Sequence, residues 1–324
     1  MWFQSPPVII STATIVGGKE GQGPLGQTFD KVLEDNYYGE KSWEKAEQRM
    51  LEEAMQMAIE RAGLQPQNVD FMLGGDLLNQ IISASFTARN LGIPYLGLYG
   101  ACATMYEGLA LGAMLIDGGF ADKVLVGVSS HFATAERQFR YPTEQGVQRP
   151  LYASWTVTGA AAAILAREGN GPVVTHATIG RAIDFGQGDP QNMGAVMAPA
   201  AADTIARHLA DTQRSPDYYD LIVTGDLGTY GRELAETLLR QKGYEVGGRL
   251  YDCGVMIYSP EQDPHAGGSG CACSGVVTCG YLIKQLKAGR IKRFLGVATG
   301  ALFSQCSFQQ GETIPAIAHA VVVE

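Results

Sequence analysis

"GACATMYEGLALGAMLIDGGFADKVLVGVSS" spans residues 100–130, and "GCACSGVVTCGYLIKQLKAGRIKRFLGVATG" spans residues 270–300. Each begins with a turn of small residues holding cysteine, runs on with helical apolar spacing, stops at glycine and ends in a short apolar run of strand length. The stretches upstream repeat a second pattern. "SWEKAEQRMLEEAMQMAIERAGLQPQNVDFMLGGDLLNQ" at 42–80 and "MAPAAADTIARHLADTQRSPDYYDLIVTGDLGTYG" at 197–231 each predict a helix, a polar linker, a buried strand and a Gly-Asp-Leu turn, at Gly75-Asp76-Leu77 and Gly225-Asp226-Leu227. The chain therefore reads as a duplication, with an N-terminal half over 1–170 and a C-terminal half over 171–324.

Helices alternating with short apolar strands predict an α/β protein with a mixed, mostly parallel sheet in each half and helices on the sheet faces. In such sheets ligands sit beyond the C-terminal strand ends, so both Gly-Asp-Leu turns and Cys102 are expected at one mouth. The segments 17–26 and 138–152 are the longest expected loops, and no segment is of low complexity.

A chain of 324 residues, 46% hydrophobic and 18% charged, can bury a large core. The net charge of −9, with no run rich in Lys or Arg, excludes broad nucleic-acid binding. Five of the six cysteines fall in the second half without a framework spacing, which fits a reducing compartment better than disulfides. No basic residue precedes Lys19, so no signal peptide is expected, and no apolar run is long enough to predict a membrane-spanning helix. "HAGGSGCAC" at 265–273 raises a zinc site from His265, Cys271 and Cys273, but a second ligand cluster is missing and small cysteines also suit a tight turn, so no metal is expected. There is no P-loop, H-E-x-x-H, EF-hand or dinucleotide fingerprint, and no cofactor is expected.

The duplicated pattern, the cysteine in a small-residue turn opening a central helix, and the closing stretch from His265 resemble the thiolase-like fold of β-ketoacyl-acyl-carrier-protein synthase III. That resemblance implies a duplicated αβαβα layered architecture. More closely, "STATIVGGKEGQGPLG", "GGDLLNQ", "GACATMYE", "SSHFATAERQFRYPTE", "MAPAAADT" and "GGSGCACS" resemble the stage V sporulation protein AD family of spore-forming bacteria, nearly end to end. The condensing enzymes pair their cysteine with a His after the second-half strand and an Asn in the closing turn. At the matching positions this chain has Gly225 and Ser269, so turnover by a synthase mechanism is not expected.

The sporulation family implies a non-catalytic protein that binds dipicolinic acid, as its calcium chelate, for uptake into the developing spore. It further implies peripheral attachment to the spore inner membrane beside integral membrane proteins of the same operon. A homodimer is expected because the fold usually pairs. Two rivals stand beside this: an acyl-transfer enzyme using Cys102, and a structural scaffold of a membrane complex.

The residues themselves leave Cys102 as a small buried hydrophobe, a pocket wall or an acyl acceptor. In the polar segment after Ser130, read as a loop reaching the mouth, His131 is the histidine best placed to face Cys102. Arg137 and Arg140 offer forks for carboxylates, or pair with acids such as Glu136. Phe132, Phe139 and Tyr141 offer rings. Asp76 and Asp226 either cap their turns or meet a cation or ligand nitrogen. Asp76, Cys102, His131, Arg137, Arg140, Thr158, Asp226 and Ser269 are the candidate ligand-binding residues.

Overall fold

The computed structural model describes residues 1–140 and 145–324. Residues Val8–Val16 (β1), Lys31–Val32 (β2), Phe71–Gly75 (β3), Tyr95–Gly97 (β4) and Lys123–Ser130 (β5) are strands of the first half. Two more follow, the short Trp155–Thr156 (β6) and Gly159–Ala166 (β7). The second half contributes Val174–Thr178 (β8), Leu221–Thr224 (β9), Leu250–Asp252 (β10), the short Gly268–Ser269 (β11), Phe294–Ala301 (β12) and Ala316–Val323 (β13).

The first sheet runs in the order β2-β1-β7-β5-β3-β4 and the second in the order β10-β9-β12-β13-β8. In the first, β7 lies antiparallel to β1 and β5 while the other neighbours are parallel. In the second, β10-β9-β12 are parallel, and β13 is antiparallel to both β12 and β8. A parallel pair of β6 and β11, with Trp155 opposite Gly268, ties the halves together near the mouth.

The helices complete five layers. In the first half they are Gly18–Gly21 (α1), Trp43–Arg61 (α2), Ile82–Leu91 (α3), Thr104–Asp117 (α4) and Phe132–Phe139 (α5). In the second half they are Met193–Thr212 (α6), Gly228–Gln241 (α7), Cys253–Ile257 (α8), Cys271–Val277 (α9), Ile283–Lys287 (α10) and Gln305–Gln309 (α11).

Alternate residues of the strands feed opposite layers. Val124, Val126 and Val128 of β5 join the central core with α4 and α9, whereas Leu125 faces Met50, Leu51 and Met55 of α2. In β13, Val321 and Val323 face the centre, whereas Ala318, Ala320 and Val322 pack under α6. Burial on both faces is why these strands read as continuous apolar runs rather than alternating ones.

Two expectations are corrected. The segment after Ser130 is not a loop at its start but the helix α5, whose first orphan amides find an acceptor in the His131 ring: Ala133 N donates to Nδ1 at 3.1 Å. The 17–26 segment likewise carries α1 and the start of a 3₁₀ turn at Gly26–Thr28. His208 is fully buried in α6 between Thr178 and Tyr219, at 2.8 and 2.6 Å.

The central layer explains where Cys102 sits. The turn ahead of α4 lies directly against β12 of the other half, where a Cβ at Gly300 would stand 2.1 Å from the carbonyl oxygen of Gly100. No side chain fits there. Gly300→Ala is expected to push the Cys102 turn off β12 and cost about 1–3 kcal/mol, the usual range for overpacking, read as a lower urea midpoint with an unchanged m-value.

Candidate functional site

The turn Ala101–Ala103 is a 3₁₀ turn that opens α4, and Ala101 takes a left-handed φ of +49°. The neighbours compensate for that strained backbone. The carbonyl oxygen of Ala101 accepts from Thr104 Oγ1 at 2.7 Å and from Cys271 Sγ at 3.0 Å, so the second half pins the first-half turn. Cys102 is left half-buried with its sulfur 4.0 Å from Ser269 Oγ.

Behind Ser269 lies Asp226, 1% exposed. Its carboxylate accepts from Ser269 Oγ at 2.7 Å, Thr299 Oγ1 at 2.8 Å and Gly270 N at 3.2 Å. Burial pushes its pKa up against the pull of these hydrogen bonds. Burial, and then the nearby Asp226, pushes the Cys102 thiol well above its ordinary value. The arrangement is a hydrogen-bonded run from thiol to hydroxyl to buried carboxyl, with the sulfur as a thiol at neutral pH.

A cavity of about 510 Å³, counting its open mouth, lies over this sulfur. Cys102, Ser269 and Thr156 form its floor, Arg140 and Phe139 come from the end of α5, and Met193, Met197 and Phe303 come from the second half. Phe139 and Phe303 meet edge to face, with ring centroids 5.9 Å apart. Among the described residues, no histidine lines it. Arg140 is largely buried and bonded to Glu136 at 2.5 Å and to the Ser154 carbonyl at 3.2 Å.

The structure thus brings Cys102, Ser269 and Arg140 to one cavity, with Asp226 one layer beneath. It places the other candidates elsewhere. Asp76 is fully buried, and accepts from Leu78 N and Ala84 N, both at 2.8 Å, capping the chain into α3. His131 is buried with Nε2 3.0 Å from Asn36 O, a contact that turns it away from Cys102. Arg137 pairs with Glu44 at the surface, and Thr158 Oγ1 accepts from Phe132 N at 3.1 Å. The reason is common to all four: each satisfies a local backbone or charge requirement before it can reach the mouth. Tyr141 lies outside the described residues.

The Gly-Asp-Leu repeat misled because the duplicated aspartates have diverged. Capping in the second half falls to Asp252, which accepts from Leu227 N and Gly228 N at 2.8 and 3.0 Å and from Val255 N at 3.1 Å. Asp252, which ends a strand in "LYDCG", could have been found as a third strand-end aspartate. Thr299, Met193 and Phe303 carried no sequence signal. Cys271 and Cys273 point their thiols at different carbonyls, of Ala101 and Gly225, and among the described residues no three metal-ligating side chains gather.

A duplicated five-layered α/β molecule with a cysteine opening one of two buried central helices is a thiolase-like protein. The stage V sporulation protein AD family model matches residues 1–324. The Bacillus subtilis (strain 168) stage V sporulation protein AD is 48% identical over 322 residues, covering 99% of this chain and 95% of that protein. The chain belongs to the stage V sporulation protein AD family. Solved structures share the fold at low identity. The 3-oxoacyl-[acyl-carrier-protein] synthase III of Aquifex aeolicus VF5 is 14% identical with a TM-score of 0.61, over 98% of this chain and 99% of that one. Xanthomonas campestris OleA with bound lauric acid and lauroyl-CoA is 16% identical with a TM-score of 0.66, over 99% of this chain and 100% of that one.

Asp76 belongs to a buried acidic pair rather than to the cavity. Glu47 of α2, fully buried, accepts from Ser129 Oγ at 3.1 Å and Thr134 Oγ1 at 2.8 Å. Burial and the neighbouring Asp76 push its pKa up to about 8, and burial pushes Asp76 to about 6. Raised carboxyl values mean that the folded state holds protons more tightly than the unfolded chain does. Their stabilisation is complete below the ordinary values and is lost as pH rises through about 6 and about 8. Glu47→Gln is expected to flatten the decline in melting temperature between pH 4.5 and 8 and to melt above wild type at pH 8. Parallel decline of both proteins in a calorimetric pH series would contradict this.

Proposed function

We propose that this sporulation protein is a non-catalytic member of the thiolase-like class that binds dipicolinic acid, as its calcium chelate, in the cavity over Cys102. On this reading it collects the compound for uptake into the developing spore. It sits as a homodimer at the spore inner membrane, held there by integral membrane proteins of its operon. No helix among the described residues is long and apolar enough to cross a membrane, so docking through partners fits this placement.

The observation that carries the reading is the cavity itself: a small space with flat aromatic walls, one buried guanidinium at Arg140 and the Cys102 and Ser269 side chains at its floor. A planar pyridine ring suits the Phe139 and Phe303 walls, and a carboxylate suits a guanidinium fork. Calcium offsets the conflict between a dianion and a chain of net charge −9. Two features support the absence of turnover. The Cys102 thiol is pushed up, where an attacking sulfur needs to be pushed down. The position matching the synthase histidine is Gly225, where a Cβ would lie 3.1 Å from both Ala298 Cα and Thr299 N.

A second reading, acyl transfer through Cys102, is favoured by the sulfur's place at the start of α4 and by the largely apolar cavity above it. Calorimetric titration with dipicolinate, with and without calcium, separates the readings. Wild type is expected to give saturable heat, Ala301→Leu, at the end of β12 where Ala301 lines the cavity, to fill that space and abolish the heat, and Arg140→Lys to weaken binding about tenfold by losing the planar fork. Absence of heat in wild type under both conditions overturns the proposal. A mass increase on incubation with acyl-CoA that Cys102→Ser removes establishes the enzyme instead.

A further inference from the structure

A second polar feature lies beside the cavity, around the short β6–β11 pair. Phe132, the first residue of α5, stacks on Trp155 with ring centroids 3.9 Å apart and planes 8° from parallel. Lys19 Nζ stands 3.5 Å from the Trp155 ring centroid, which places it on the face that Phe132 leaves open. The Arg149 guanidinium carbon lies 4.6 Å from the same centroid. Arg149 and Arg140 both donate through Nη1 to the Ser154 carbonyl oxygen, at 2.8 and 3.2 Å. Three cations therefore converge on one ring and the carbonyl beside it.

The surrounding acids do not neutralise them equally. Glu136 is taken up by Arg140. Glu20 is buried beneath the cluster, and its Oε1 accepts from Tyr258 Oη and, at 3.0 Å, from Thr158 N. Asp263 is an exposed side chain 3.6 Å from His265 Nε2. Among the described residues, neither Lys19 nor Arg149 has a carboxylate within 4.0 Å. Burial and the proximity of Arg149 lower the proton affinity of Lys19, against a smaller opposing pull from Glu20 and Asp263, and burial and Arg140 oppose the charge on Arg149, which Glu136 and Asp263 partly support from beyond pairing distance. Two half-buried like charges at close range are unfavourable in the free protein, and an anion between them removes that cost.

The cations are held in place by structure that needs no ligand. The Lys19 carbonyl accepts from Gln262 Nε2 at 2.6 Å, and Trp155 N donates to Gly267 O at 2.8 Å. Cation–π contact supports an ammonium or guanidinium on Trp155 without using up its N–H donors. We propose that Lys19 and Arg149, mounted on Trp155, form a binding site for an oxyanion, a carboxylate or phosphate group, distinct from the cavity over Cys102. The site's ligand chemistry is shared by free phosphate and by the headgroup of an anionic lipid. It does not rest on the identity of the cavity ligand.

The test uses the full chain. Orthophosphate is titrated calorimetrically at low salt, and flotation is measured with phosphatidylglycerol vesicles against phosphatidylcholine vesicles. Lys19→Gln and Arg149→Gln are expected to weaken phosphate binding about tenfold or more each, and Lys19→Arg to restore it. The Lys19 side chain makes no hydrogen bond among the described residues, so its removal leaves the fold intact, which an unchanged melting temperature checks. Flotation with phosphatidylglycerol alone, lost in both glutamine variants, assigns the site to a headgroup. Phosphate binding without flotation assigns it to a free anion. Wild type that binds neither, or variants that bind as tightly as wild type, overturn the proposal.

Discussion

Each half of this molecule closes the other's central turn. The turn at Gly100–Cys102 lies on the backbone of β12 at Gly300, a distance that no side chain would allow. In return, Ser130 at the end of β5 accepts from Ala272 N at 3.2 Å and so steadies the start of α9. Tyr106 of α4, buried across the interface, bonds Thr278 at 2.8 Å with its ring pressed on Gly296 of β12. These buried hydroxyl and amide groups find their partners in the other half, as polar groups removed from solvent require. The cavity over Cys102 is a by-product of this interlock: it is the space left where the two turns meet.

Within that frame, duplication supplied equal parts and the environment assigned unequal roles. Asp76 and Asp226 follow equivalent strands in equivalent tripeptides. Asp76 spends both oxygens on backbone amides ahead of α3, whereas Asp226 turns inward and takes hydroxyls from Ser269 and Thr299. The cap that Asp226 leaves vacant is supplied from β10 by Asp252. Burial under the cavity floor makes the Asp226 carboxyl harder to ionise, and burial first, with the Asp226 charge adding to it when that carboxyl is ionised, opposes loss of the Cys102 proton. The same sulfur that begins a reaction in a condensing enzyme is here embedded in a network that opposes its ionisation.

Charge is distributed with the same economy. An acidic molecule of net charge −9 gathers Arg140, Arg149 and Lys19 at one side of the mouth. Their positions are fixed by ring stacking and backbone acceptors, because pairing every one with a carboxylate would cancel the local field.

The alternating run of helices and apolar strands, the paired small-residue turns and the duplicated tripeptides already determined the α/β class, the duplication and the place of Cys102 at the head of a helix, while the layered thiolase-like architecture came from the resemblance of those stretches to β-ketoacyl-acyl-carrier-protein synthase III. Those are local properties: periodicity, glycine stops and small residues act over one element at a time, and they survive in the one-dimensional text. Which polar side chains reach the mouth was decided only by tertiary structure. His131, Asp76, Thr158 and Arg137 read as equal candidates beside Ser269 and Arg140, yet each met a nearer partner, in Asn36, the amides of Leu78 and Ala84, Phe132 N or Glu44. The walls from Met193, Met197 and Phe303 come from segments distant in the chain and chemically unremarkable in sequence. A side chain's direction depends on which unsatisfied group lies closest to it in space, and that is set by the packing of one half against the other.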